Sequence, residues 1–402
     1  MNKNISALYE IAQKKSRKII GLMSGTSLDG LDLALCEVSD SGGDTVVKIL
    51  EFETVDYSED IKTEIRKVFA KKTIDFQHLV LLNAWIANLH AEMINDCLLK
   101  WNVPANEVDL VASHGQTVLH APKFLHQQEK FPNATLQIGD GDHIAVKTGI
   151  ITLSDFRQKH VAAGGEGAPL AVYGDYLLFS KKGENRIMLN MGGIANFTYL
   201  PASQNAEEVF VTDTGTANTL IDSCTKHYFP EKSYDKDAEI AQSGIINQEL
   251  LSELKSNAFF KKSFPKTIGQ ELFNFDFVHS ALLKLGLTNI SASDLLATLT
   301  RLSAETIAEA ILFVVKNTGT PLAEFTVYMS GGGARNPLLV KWLQELVCCT
   351  FEKSDVLGIS GDAKEAVLFA VLANETVAGG NYNFGSKKGI PSVTMGKISF
   401  PD

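Results

Sequence analysis

A chain of 402 residues exceeds the ~100–200 residues of one ordinary domain and predicts two or three. Hydrophobic residues at 45% against charged residues at 21% exclude a largely disordered chain, because that balance supplies a core. A net charge of −10 argues against nucleic acid bound on a broad basic face, but a small anion needs only local N–H dipoles or a metal.

Five Cys, odd in number and without a C-x-x-C pair, read as reduced thiols of a cytoplasmic protein and not as disulfides or a zinc site. No apolar run reaches the ~18 residues of a membrane span, so no membrane is expected as a partner. In residues 1–16, Ile5, Leu8 and Ile11 recur at helical spacing and predict a short amphipathic helix. Residues 18–23 and 31–38 are apolar runs joined by a turn rich in Gly and Ser, the signature of a hairpin. Over 74–101 the period of Leu79, Leu82, Ile86, Leu89, Met93 and Cys97 predicts a helix. Residues 108–112 predict a short buried strand ending in Ser113-His114-Gly115-Gln116-Thr117, and 150–153 another, followed by Asp155-Phe156-Arg157 and a Gly-rich loop at 164–170. Residues 187–200 then repeat the plan of 19–36: apolar strand, Gly-containing turn, apolar strand. Strand 209–211, loop 212–218, helices over 219–227 and 293–316 and strand 325–329 complete an α/β pattern, whose function is expected on loops at strand ends. Duplicated halves of this kind would bring both hairpin turns to an interdomain cleft.

Four Gly-rich loops, around positions 25, 165, 192 and 332, each read as following a strand and together predict a nucleotide-phosphate site. Between the first two strands, Gly25-Thr26-Ser27-Leu28-Asp29-Gly30 offers backbone N–H groups and hydroxyls, and Asp29 or Asp32 can face a hydrated Mg²⁺. An ordinary hairpin turn is the competing reading. No Lys follows the second glycine, so this is not a Walker A loop. Asp213 is either a general base or the N-cap of the helix after it. His114 is either a satisfied buried histidine or a ligand-binding group, and Arg157 at a strand end suits a carboxylate or phosphate.

Eight segments carry a family likeness: Met23-Ser24-Gly25-Thr26-Ser27-Leu28-Asp29-Gly30, Ser113 to Thr117, Leu136-Gln137-Ile138-Gly139-Asp140, Asp155-Phe156-Arg157, Gly167-Ala168-Pro169-Leu170, Asn190 to Asn196, Tyr234-Asp235-Lys236-Asp237 and Gly331 to Pro337. Together they resemble the anhydro-N-acetylmuramic acid kinase family, of the acetate and sugar kinase, heat-shock chaperone and actin superfamily. The resemblance implies a duplicated two-lobe actin-like (ribonuclease H-like) ATPase fold, with residues 1–153 and 378–402 in one lobe and 154–377 in the other. It implies a cytoplasmic homodimer that opens 1,6-anhydro-N-acetylmuramic acid with water and phosphorylates O6 from ATP with Mg²⁺, in peptidoglycan recycling. On this resemblance Asp213 is the catalytic base. Gly25, Thr26, Ser27, Leu28, Asp29, Gly30, Leu31, Asp32, Gly192, Gly193, Gly331, Gly332 and Gly333 bind ATP, with Asp29 on the metal. His114, Gln116, Thr117, Arg157 and Glu365 bind the sugar. Thr216 and Ala217 stand where the family usually has Pro-Gly, and Glu166 where it has Gln, so levoglucosan or another anhydro sugar is the alternative substrate. A nucleotide-switch ATPase of the same superfamily is the alternative class.

Overall fold

The computed structural model describes residues 2–402 except 169, 269–271, 288, 380–382 and 386–388, so Pro169 of the quoted motif lies outside the described residues. The apolar runs become strands β1 (Ser16–Ser24), β2 (Gly30–Ser39), β3 (Val46–Asp56), β4 (Leu110–Ala121), β5 (Ala134–Ile138) and β6 (Thr152–Ser154). There follow β7 (Asn185–Met191), β8 (Ile194–Leu200), β9 (Phe210–Thr216), β10 (Phe325–Ser330), β11 (Thr350–Lys353) and β12 (Lys397–Ser399).

The chain forms two compact units, residues 1–179 with 362–402, and residues 180–361. In the first, the sheet order is β12-β6-β4-β1-β2-β3, with β5 paired to β4. Strand β1 is antiparallel to β2 and parallel to β4, β2 is antiparallel to β3, and β4 is parallel to β6. In the second, the order is β11-β10-β7-β8-β9. There β7 is antiparallel to β8 and parallel to β10, β8 is antiparallel to β9, and β10 is parallel to β11. Each unit thus has a three-strand meander followed by two crossovers that add parallel strands beside the first. This is the duplicated actin-like, ribonuclease H-like fold, with the hairpins β1–β2 and β7–β8 in equivalent positions.

Parallel central strands need cover on both faces, and the sequence supplies it. One face of the first sheet packs Ile20, Leu22 and Leu33 against Leu82 and Ile86 of helix Phe76–Lys100, each such burial contributing roughly 1.5–3 kcal/mol. The other face receives helix Lys364–Ala378, buried from Ala366 to Glu375. Gly21 of β1 permits that approach, since a Cβ there would lie 1.9 Å from the Ala366 carbonyl oxygen. This helix packs on β1 and on helix Ala171–Phe179, so segments 154–179 and 362–377 belong to the first unit, and the boundaries fall later and earlier than 153/154 and 377/378. In the second unit, helix Ala292–Thr318 lays Ile307 and Ile311 against β7 and β8, and its first turns join a second core under helix Thr219–Tyr228. Among the described residues, no helix is long and apolar enough to cross a membrane.

Three expected placements are corrected. The segment 113–117 does not follow a strand but lies inside β4, because Gly115 takes a positive φ of 76° and the strand runs on to pair Gln116 with Ile138. Residues 212–216 are likewise part of β9, held by pairing to β8. The glycines around 165 follow helix Phe156–Ala162 and not a strand, so three of the four Gly-rich loops stand at strand ends.

Candidate active site

In the first unit the turn between β1 and β2 exposes Thr26, Ser27 and Asp29. Leu28, at a positive φ of 61°, and Leu31 turn their side chains into the apolar core, so they can offer a ligand only backbone. Asp32, half-buried on β2, accepts from Thr54 Oγ1 at 2.6 Å. Burial pushes its carboxyl up, despite the threonine, and the charges of Asp362 and Asp29 push it further. Glu365 is pushed up by desolvation although Arg157 opposes the shift, and the Asp32 charge adds to it.

Arg157, on the first turn of its helix, donates from Nε to His114 Nε2 at 2.8 Å and from Nη1 to the Gly167 carbonyl at 2.7 Å. His114 is buried against Phe369, and burial, then the Arg157 charge, drives its imidazole down to about 3. The ring is therefore a neutral acceptor that orients the guanidinium, whose Nη2 has no partner among the described residues. Burial also lowers Arg157 itself, to about 10, so it stays charged near neutrality. Glu166 immediately precedes the carbonyl that holds Arg157. Thr117 is half-buried, its hydroxyl accepting from Gln137 Nε2 at 3.3 Å. Gln116 departs from expectation: fully buried, it donates from Nε2 to the carbonyls of Gly25 and Thr117 and accepts from Ser24, so its amide is spent on the protein and not on a sugar.

In the second unit Gly192 and Gly193 form the whole turn of the β7–β8 hairpin. Asn218 donates from Nδ2 to the carbonyls of Met191 and Gly192, at 3.2 and 2.7 Å, tying the start of helix Thr219–Tyr228 to this turn. The turn after β10 packs on the same place. Gly331 has a positive φ of 79°, and a Cβ there would meet the Met191 carbonyl oxygen at 2.7 Å. Gly331→Ala is expected to cost about 1–3 kcal/mol from this clash and strain, read as a lowered midpoint in thermal unfolding. Gly332→Ala, whose Cβ would lie 3.6 Å from Asn218, is expected to unfold close to the parent protein.

Asp213 is not the cap of the following helix; that position is Asn218. Its backbone N–H donates to the Lys266 carbonyl at 2.9 Å, and its Oδ2 accepts from the Ile268 N–H at 2.8 Å. Oδ1 has no partner among the described residues. Burial raises the carboxyl to about 6, against the pull of the Ile268 N–H. A bulge in the β8–β9 ladder, between Ala195 and Asn196, lies beside it and re-aims the strand. Residues that motif reading left unassigned also line up here. Ser330 pairs with Asn190, Asn190 with Asn196 and Asn196 with Asp213, giving a half-buried polar row across four strands. The period of two within each strand was visible in the sequence; the register that joins them was not.

The profile of the anhydro-N-acetylmuramic acid kinase family matches residues 17–399. The chain belongs to the anhydro-N-acetylmuramic acid kinase family. It is 53% identical over the full length of both chains to the anhydro-N-acetylmuramic acid kinase of Pseudoalteromonas atlantica, and 38% identical to that of Caldanaerobacter subterraneus over 98% of this chain and 99% of the other. Among solved structures, component A of the Acidaminococcus fermentans (R)-2-hydroxyglutaryl-CoA dehydratase covers 90% of the chain at 12% identity with a TM-score of 0.41. As a member of the anhydro-N-acetylmuramic acid kinase family the chain is an ATP-using phosphotransferase acting on a sugar hydroxyl, and the nucleotide-switch alternative is set aside.

Proposed function

We propose that the chain carries out the reaction of its family with Asp213 as general base, converting 1,6-anhydro-N-acetylmuramic acid, water and ATP into N-acetylmuramic acid 6-phosphate and ADP. Asp213 carries this reading: one carboxylate oxygen is fixed by Ile268, the other has no partner among the described residues, and burial raises the group to about 6. Such a carboxylate is ionised at neutral pH and basic enough to take a proton from water. The water oxygen bonds to the anomeric carbon as its proton passes to Asp213. The bond from that carbon to the bridging oxygen breaks, and this oxygen, now O6, bonds to the γ-phosphorus. The bond between the β,γ-bridging oxygen and that phosphorus breaks, releasing ADP. Little covalent work falls to the protein beyond this, since phosphoryl transfer rests on positioning and charge neutralisation.

The turns 25–32, 192–193 and 331–333 are assigned to ATP. Asp29 suits a hydrated Mg²⁺, because its charge and that of Asp362 both push the buried Asp32 carboxyl up and a cation relieves that repulsion. Among the described residues no three His, Cys, Asp or Glu side chains form a group that could hold a metal ion. When bound, Mg²⁺ supplies charge neutralisation on the phosphates. Arg157, Glu365 and Thr117 are assigned to the sugar, Arg157 facing the lactyl carboxylate, with His114 acting through Arg157. A cytoplasmic homodimer completes the proposal; exposed Val80, Leu81 and Trp85 on helix Phe76–Lys100 suit a subunit contact, and sedimentation checks the state.

The deciding assay follows ADP release with Mg-ATP alone, with 1,6-anhydro-N-acetylmuramic acid and with levoglucosan. ADP release dependent on the muramic sugar, with kcat/KM at least about tenfold above levoglucosan, is expected for a site that pairs the extra carboxylate. Equal or better turnover of levoglucosan would overturn the substrate assignment.

A further inference from the structure

A buried chain of side chains runs beneath the β1–β2 turn, with no apolar purpose that would require it. His90 Nε2 lies 2.7 Å from the Tyr57 hydroxyl, which lies 2.9 Å from Ser24 Oγ, which donates to Gln116 Oε1 at 2.5 Å. His90, Ser24 and Gln116 are wholly buried and Tyr57 is 3% exposed. The protons can be assigned from the far end. Gln116 Nε2 faces two carbonyls, Gly25 and Thr117, so this end is the amide nitrogen and Oε1 is an acceptor. The one Ser24 proton therefore goes to Gln116, and Ser24 Oγ must accept from Tyr57. Tyr57 has then used its proton and accepts from His90 Nε2–H. His90 is thereby fixed as a neutral tautomer with a bare Nδ1, and among the described residues Nδ1 has no hydrogen-bond partner. Burial holds the imidazole down at about 4, consistent with that neutral state.

The same Tyr57 also grips the other side of the turn, its backbone N–H donating to the Asp29 carbonyl at 2.9 Å. One residue thus ties both ends of the segment from Ser24 to Asp29. We infer that Tyr57, acting through Ser24 and Gln116, is a positioning residue for the nucleotide, fixing the spacing of the turn whose N–H groups and hydroxyls meet the phosphates. This rests on the assignment of residues 25–32 to ATP. A buried network aligned in one direction suits such a role, because each member's orientation depends on the next and the turn is fixed before ligand arrives.

Tyr57→Phe keeps the ring and the backbone bond to Asp29 and removes only the relay. It is expected to raise the KM for ATP, and the Kd of the full-length protein for Mg-AMPPNP by calorimetry, about tenfold, one hydrogen bond's worth. The KM for the sugar should move less than about twofold. Ser24→Ala should do the same, and the double variant should be no worse than the weaker-binding single, since both break one relay. A Tyr57→Phe protein that melts earlier yet binds Mg-AMPPNP within about twofold of the parent would show a merely structural role and overturn the inference, as would strictly additive effects. Should Tyr57→Phe not fold, Ser24→Ala decides by the same nucleotide criterion. Thr26→Ala/Ser27→Ala separates the two readings: if it too leaves Mg-AMPPNP binding unchanged, the phosphate-turn assignment fails; if it alone weakens binding, only the relay fails.

Discussion

Asp213→Asn is expected to lower sugar-dependent ADP release by about a thousandfold while Mg-AMPPNP still binds, because general-base catalysis contributes on the order of 10²–10⁴ in rate. The amide keeps an oxygen that can accept from the Ile268 N–H, so the strand position should survive the change. A variant with near-normal turnover would remove Asp213 from the base role. In the parent protein, kcat/KM should fall about tenfold per unit as pH drops below about 6, the value to which burial raises this carboxyl. Stability should move in the opposite sense. Well below its ordinary value of 3.8 the group is neutral in both folded and unfolded chains; as pH rises from there through about 6 the unfolded chain ionises it freely while burial resists ionisation in the folded state, and stability is lost. That loss is about 2–3 kcal/mol at neutral pH. Asp213→Asn should therefore melt higher than the parent at pH 7.5, and the difference should shrink toward pH 4. A fall in melting temperature at pH 7.5 would mean that the carboxylate is stabilising, contrary to its burial.

This opposition explains why Asp213 could not be resolved from local sequence. An Asp among Thr, Gly and Asn, followed by a helical pattern, has the composition of an N-cap. What excludes the cap is the pairing of β9 with β8, which carries Asp213 into the sheet and leaves Asn218 at the helix start. Hairpins were legible because the period of two and the Gly-containing turns are local signals, and their duplication already implied two like sheets. The order of those sheets rests on contacts between residues such as Ser330 and Asn190, far apart in sequence. Gln116 shows the same limit. Its place in a His-Gly-Gln-Thr run suggests a ligand contact, whereas the fold buries it under Gly25 and turns its amide to a supporting bond. The domain boundaries were displaced for a related reason: helix Lys364–Ala378 is apolar nearly all round, and only the glycine at position 21 and the sheet behind it show which core it fills.

Arg157→Gln should reduce kcat/KM for 1,6-anhydro-N-acetylmuramic acid by about a hundredfold, chiefly through KM, while the value for levoglucosan, which has no carboxylate, changes less than about threefold. A charge-assisted pair is worth roughly twice a neutral hydrogen bond, and a guanidinium held by two bonds is oriented before the ligand arrives. His114 Nε2 and the Gly167 carbonyl hold Nε and Nη1, which leaves Nη2, without a partner among the described residues, as the donor for the proposed carboxylate. Arg157→Lys should be nearly as impaired, because an ammonium cannot keep both supports and present a third donor in the same plane. A loss spread equally over both sugars would point to a collapsed pocket instead of a missing charge. His114 offers a check that activity does not: Arg157 is the second cause of its lowered value after burial, so removing the guanidinium should raise the imidazole from about 3 in an NMR titration. If the imidazole rose and selectivity between the two sugars vanished, Arg157 would be fixed as the group that recognises the carboxylate. If the imidazole rose and selectivity did not change, the guanidinium would instead be holding β4 to the helix that follows β6.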